Sequence, residues 1–143
     1  MAKRLDPRLR TMFALVETGR VMITRVEEIW GDAGIAPSEG AVLARLFING
    51  EGASRSGDLL GHPIRSTPAL AKILASLEDD NLITRTRSTS DRRVVIVEAT
   101  PEATALFDQI LQRIETEVVA TTTSSLTNND IDALATLLAT LNP

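Results

Sequence analysis

Two adjacent arginines, Arg92 and Arg93, sit at the tip of "RSTSDRRVV", between flanks that alternate in polarity. Upstream, "RSTPALAKILASLED" places Arg65, Ser66 and Thr67 before an amphipathic run, with Lys72 one turn into it. The chemistry open to these residues is anion binding. A guanidinium donates two parallel hydrogen bonds to a phosphate or to a base edge. Serine and threonine hydroxyls, with the free N–H groups of a helix start, suit phosphate oxygens. Asp91, two residues before Arg93, is placed to hold that guanidinium in a bidentate pair. Catalysis is poorly provided for: with one His, no Cys and no Tyr, most nucleophile–base pairs cannot be built. A site made only of carboxylates remains open, but no Asp/Glu pair stands out. The single histidine, His62, follows Asp58 by four residues, and a zinc site would need at least two further ligands. It reads as a turn residue beside Pro63, and no metal or cofactor is expected.

The formal net charge of −4 conceals an uneven distribution. Residues 1–52 carry seven basic and seven acidic side chains, and residues 98–143 carry one Arg against seven acids. Residues 53–97 hold seven bases (Arg55, Arg65, Lys72, Arg85, Arg87, Arg92, Arg93) and five acids, so this is the net-positive segment. A polyanion would be met by the middle of the chain.

The elements that must position these residues follow from periodicity and caps. Asp6-Pro7 caps a helix of about 24 residues whose apolar positions, Leu9, Met12, Phe13, Val16, Ile23, Val26 and Trp30, recur at three- and four-residue steps. It carries more apolar stripe than one small core can cover, which points to oligomerisation. Met12, Phe13 and Trp30 read as core or interface, with pocket lining as the other possibility. A second helix fits Pro37 to Asn49, and a third, short one fits Ser54 to Leu60. A fourth runs from Thr67 or Pro68 to Asp79, capped by Ser66 or Thr67, with Leu70, Ile73, Leu74 and Leu77 inward and Ala69, Lys72 and Ser76 outward. Asn81 suits a left-handed stop. Leu82–Arg87 and Arg93–Ala99 read as an antiparallel hairpin. Thr100-Pro101 opens a fifth helix, and Thr127 with Asp130 caps a sixth.

The fold class is therefore mainly α with a small β-hairpin. One domain, 1–143, contains a winged helix-turn-helix at 37–99 between terminal helices at 6–33 and 101–141. In that arrangement the helix beginning at Thr67 enters a DNA major groove. Ser66, Thr67 and Arg65 then face phosphates, Lys72 a guanine edge or a phosphate, and Ala69 thymine methyls. The hairpin tip falls near the adjacent minor groove, whose narrow stretches attract an inserted Arg.

"TPALAKILASLEDDNLITRTRSTSDRRVVIVEATPEATALF" resembles the core of the MarR family of winged-helix transcription regulators. The likeness lies in the helix ending "LASLEDDNLITR", the Asp-x-Arg wing and the passage "VVIVEATPEA", and it covers about residues 35–141. It implies that Asp91 orients the wing, that Arg93 enters the minor groove and that Arg92 lies near the backbone. It also implies a homodimer built from the terminal helices (6–33 and 101–141), acting as a repressor that a small molecule releases. The chain departs from the family at Pro68, Ala69 and Ala71, where longer polar side chains are usual.

The expected partners are double-stranded DNA, a second copy of the chain and a small aromatic or carboxylate effector. Arg20, beside the apolar stripe of the first helix, either pairs with Glu17 or Glu27 or meets such a carboxylate. The alternative is a winged-helix protein-interaction module without DNA binding. No apolar run approaches a membrane span, and the first ten residues have no apolar stretch followed by a cleavage site, so the expected location is cytoplasmic.

Overall fold

The computed structural model describes residues 6–141; the segment before Asp6, which includes the basic Lys3 and Arg4, lies outside them. Helix α1 (Pro7–Asp32) starts where the Asp6 carboxylate accepts the Arg8 N–H at 2.8 Å. Its apolar stripe divides in two. Ile29 and Trp30 are buried and Met22 and Val26 pack against the core, but Leu9, Phe13, Val16 and Ile23 stay exposed. Helix α2 (Pro37–Gly50) buries Val42, Leu43 and Leu46, and ends at Glu51 in the left-handed region.

Strand β1 (Ala53–Arg55) and a 3-10 turn (Ser56–Leu59) occupy the place of the expected short helix. Ser54 lies opposite Val97, and Gly52 accepts the Ala99 N–H at 2.7 Å. A strand that would otherwise leave one edge unpaired recruits these three residues, and the four before Leu60 are too few for an α-helix. Helix α3 (Thr67–Asp79) follows, with Asn81 at φ 57 as its left-handed stop. Strands β2 (Ile83–Arg87) and β3 (Val95–Ala99) complete an antiparallel sheet in the order β1-β3-β2. The expected hairpin is thus two strands of a three-stranded sheet, and β3 starts at Val95 because the two preceding N–H groups are held within the turn.

Helix α4 (Pro101–Arg113) is capped by the Thr100 hydroxyl and continues through a π turn (Ile114–Val119) into the single turn α5 (Ala120–Thr122). Helix α6 (Asn128–Leu141) begins where Asp130 accepts the Thr127 N–H and hydroxyl at 2.8 and 2.7 Å, and it buries no residue. The Arg113 guanidinium ties α4 to its own Glu117 at 2.7 Å and to Asp32 at the end of α1 at 3.0 Å. Among the described residues no helix is long and apolar enough to cross a membrane.

One core runs from the winged region, through Leu46, Leu59, Leu70, Leu77, Ile83 and Val97, to Trp30, Phe107 and Val118. Phe47 and Phe107 stack with centroids 4.2 Å apart, and Trp30 leans on Phe107 at 6.2 Å. Trp30 also lies so close to Gly40 that a Cβ there would meet the indole at 2.8 Å. Overpacking of this kind costs about 1–3 kcal/mol. Gly40→Ala should therefore lower the unfolding free energy by about that amount in urea titrations, whereas Gly19→Ala, which meets nothing within 4 Å, should leave it equal or higher.

Candidate nucleic-acid interface

Helix α3 presents its first turns outward because Leu70, Leu74 and Leu77 face the core. Its amino terminus is shaped by Ser66, whose Oγ accepts the Ala69 N–H at 3.3 Å; the same hydroxyl keeps its proton for an outside acceptor. Two side chains of α2 set the angle at which α3 is presented. Glu39 caps its own helix by accepting the Ala36 N–H at 2.9 Å, and with its other oxygen accepts the Ser76 hydroxyl at 2.7 Å. Arg45 donates to the carbonyls of Leu59 and His62, at 2.6 and 3.0 Å, and so fixes the connection that leads into α3.

Arg65, Ser66, Thr67, Ala69 and Lys72 are all exposed. Arg65, Ser66, Ala69, Lys72 and Ser76 share the lining of one hollow of about 660 Å³ beside α3. Ser76 departs from the sequence expectation. It lies on the flank of α3 that faces α2, is half-buried, and gives its hydroxyl to Glu39 rather than leaving it for a phosphate. Sequence spacing alone put Ser76 on the outer face, because Lys72 lies four residues before it; the carboxylate that claims it is 37 residues away.

At the wing, Ser88 donates its N–H to the Val94 carbonyl at 2.9 Å, and the Ser88 and Ser90 hydroxyls bond each other at 2.9 Å. Asp91 accepts the backbone N–H of Arg93 on its carboxylate and that of Val94 on its carbonyl, both at 2.9 Å. This corrects the expected bidentate pair with the Arg93 guanidinium. The main-chain N–H two residues on is within easy reach of a short carboxylate, and an Asx turn forms in preference to a pair with the far end of a flexible side chain. Asp91 thus shapes the tip and leaves the arginine free to extend. Arg92 and Arg93 are exposed, and among the described residues neither they nor Arg65 or Lys72 forms an ion pair.

Three other arginines belong to the same region. Arg85, opposite Val97 on the inner face of the sheet, is bound by Glu78 of α3 through Nε at 2.9 Å and through Nη2. Arg87 and Arg55, opposite Val95 and Ile96, are exposed and unpaired among the described residues. Strand register, once known, singles them out; their spacing in the sequence did not.

Arg20 is exposed on α1, with Glu17 and Glu27 forming no ion pair to it among the described residues. It stands outside the apolar hollow of about 530 Å³ between α1 and α2, whose lining includes Ile23, Val26, Glu27, Trp30, Ala41 and His62.

The sequence matches the family model described as transcriptional regulator SarA/Rot over residues 27–110. No curated protein sequence matches it. Among solved structures, AbsC, a MarR family transcriptional regulator from Streptomyces coelicolor, superposes with a TM-score of 0.79 at 20% identity, covering 99% of this chain and 95% of that one. NadR in complex with 4-hydroxyphenylacetate gives 0.77 at 23%, with the same coverage of 99% and 95%. A mutant MarR from E. coli complexed with operator DNA gives 0.75 at 19%, covering 99% and 100%. These likenesses bear out the winged-helix fold and the resemblance to MarR regulators read from the sequence.

The Arg85 hydrogen bonds hold the Glu78 carboxyl below the usual glutamate range. A carboxylate whose folded pKa is depressed contributes stability above its unfolded pKa and loses it as pH falls through the folded value. The tie between α3 and β2 should therefore persist at neutral pH and open only in acid. An NMR titration should place the Glu78 midpoint below that of ordinary glutamates, and Arg85→Gln should return it to the ordinary range.

Proposed function

The chain belongs to the SarA/Rot family of transcriptional regulators, and on that premise we propose that it is a homodimeric repressor that reads DNA with α3 and the wing and is released by a small ligand. The observation that carries the DNA-reading part is the state of the cations. Arg65, Lys72, Arg92 and Arg93 stand exposed with no acidic partner among the described residues, while Arg85, on a wing strand, is held by Glu78, and Arg113 by Asp32 and Glu117. Cations arranged in this way exchange condensed counterions for phosphates, which supplies affinity without sequence preference. A mutant MarR of this fold, complexed with operator DNA, supports the DNA-binding reading.

Preference for a sequence then comes from few groups. Lys72 takes a guanine edge or a phosphate, and Ala69 with Pro68 touches thymine methyls. Arg93 enters the minor groove and reads its width, Asp91 having shaped the turn that carries it, and Arg92 stays at the backbone. Arg65, Ser66 and Thr67 hold phosphates at the α3 amino terminus. Shape readout has the larger share, because the α3 surface is built from Pro68, Ala69 and Ala71.

A second copy of the chain covers the apolar surface that α1 and α6 leave open. Leu9, Phe13 and Val16 on α1 and Leu134, Leu137 and Leu141 on α6 are exposed, with Leu137 at 63%. A 14-residue helix with nothing buried against its own chain is marginal alone and needs such cover. The hollow between α1 and α2 joins the dimerising helix to the reading head, and NadR in complex with 4-hydroxyphenylacetate supports binding of a small ligand by this fold.

Arg93→Ala should weaken operator binding and reduce the slope of log affinity against log salt by about one. Fluorescence anisotropy across a salt series checks this. An unchanged slope would remove the wing from the interface and favour a protein-interaction role.

A further inference from the structure

We propose that the hollow between α1 and α2 takes an apolar monocation, held by the Glu27 carboxylate, rather than the carboxylate effector among those expected from the sequence. This rests on the reading of that hollow as the effector site and names the class of effector. The hollow measures about 530 Å³, within the range that accepts small organic ligands. Its walls are apolar, from Ile23, Val26, Trp30 and Ala41, and Glu27 is the one acidic or basic side chain in the lining apart from His62. Among the described residues Glu27 has no ion-pair partner.

Among the described residues no lysine or arginine lines the hollow. Arg20 is not part of the lining. The Arg45 guanidinium is held by the Leu59 and His62 carbonyls, so it is already engaged behind the wall. An anion entering the hollow would bring a second negative charge beside Glu27, and the lining among the described residues offers no lysine or arginine to offset it. An ammonium instead gains a charge-assisted hydrogen bond in surroundings drier than bulk water, where such a pair is stronger.

Trp30 adds a second requirement. Its side chain is 3% exposed, and its indole N–H donates to no protein acceptor among the described residues, yet no buried side-chain nitrogen is cut off from solvent without a partner. Trp30 lines the hollow and its indole N–H can only donate, so we match it with an acceptor oxygen on the occupant. Gly40 lies against one face of the indole's pyrrole half. The occupant is thus an apolar amine with an ether, phenol or carbonyl oxygen.

The test uses the full-length protein without DNA and two probes on one skeleton, 4-methoxyphenethylamine and 4-methoxyphenylacetate. Trp30 is the only tryptophan, so its fluorescence reports occupancy directly, with calorimetry giving the dissociation constants. The amine should bind at least about tenfold tighter than the acid. Glu27→Gln, at an exposed position, should bring the two within about twofold, and Glu27→Lys should reverse their order. The proposal is overturned if the acid binds as well as the amine, if Glu27→Gln leaves the preference intact, or if neither probe perturbs Trp30. Operator binding, measured separately on the unliganded protein, tells such a failure apart from failure of the regulator reading.

Discussion

The Trp30 indole lies on the backbone of Gly40 with no room for a Cβ between them, and the two halves of the molecule meet at that contact. On one side is a 26-residue helix that buries only its last turns; on the other are α2 and, through it, the reading head. Phe107 and Phe47 extend the contact from Trp30 into the winged region. Interiors packed to crystal-like density do not absorb displacement locally. A change in how α1 lies on α2 must therefore move α2, α3 and the sheet as a body. In a dimer built on α1, that motion becomes a change in the spacing of two recognition helices, and a ligand that favours one spacing shifts the population toward it.

The transmission proposed here depends on rigidity between α2 and α3. Glu39 joins the amino terminus of α2 to Ser76, and Arg45 joins the middle of α2 to the turn that leads into α3. Both use charged hydrogen bonds, the stronger kind. The same economy explains the sparse reading face. A hydroxyl that could have met a phosphate is committed to holding the helix in place, and Asp91 likewise serves the shape of the wing and leaves Arg93 unpaired.

Much of this was legible in the sequence because its signals are local. Asp6 and the Thr127–Asp130 pair cap their helices as read, Ser66 is the one of the two candidates that caps α3, a helix opens at Thr100-Pro101, Asn81 adopts φ 57, and the leucines of α3 face inward. Strand β1 was not legible. Three small or polar residues acquire strand geometry only because β3, some forty residues later, offers an edge. Ser76 was misplaced for a similar reason, its partner being distant in sequence. The Asp91 expectation failed through competition, since the near backbone N–H and the far guanidinium both suit a carboxylate and sequence does not rank them. In the hollow, Glu27 and His62 come together from elements 35 residues apart, and Arg20, nearer the stripe in sequence, stays outside it. The π turn at Ile114–Val119 has no signature in its residues that we can identify.

Paired reading of DNA by α3 and the wing is the proposal on which the rest depends. Its most direct test is selection of bound fragments from the organism's own genome by the purified protein at physiological salt. The expected result is recovery of a pseudo-palindrome whose half-sites lie about 10 base pairs apart, centre to centre. Recovery of fragments with no common sequence, or of one unpaired half-site, would contradict it.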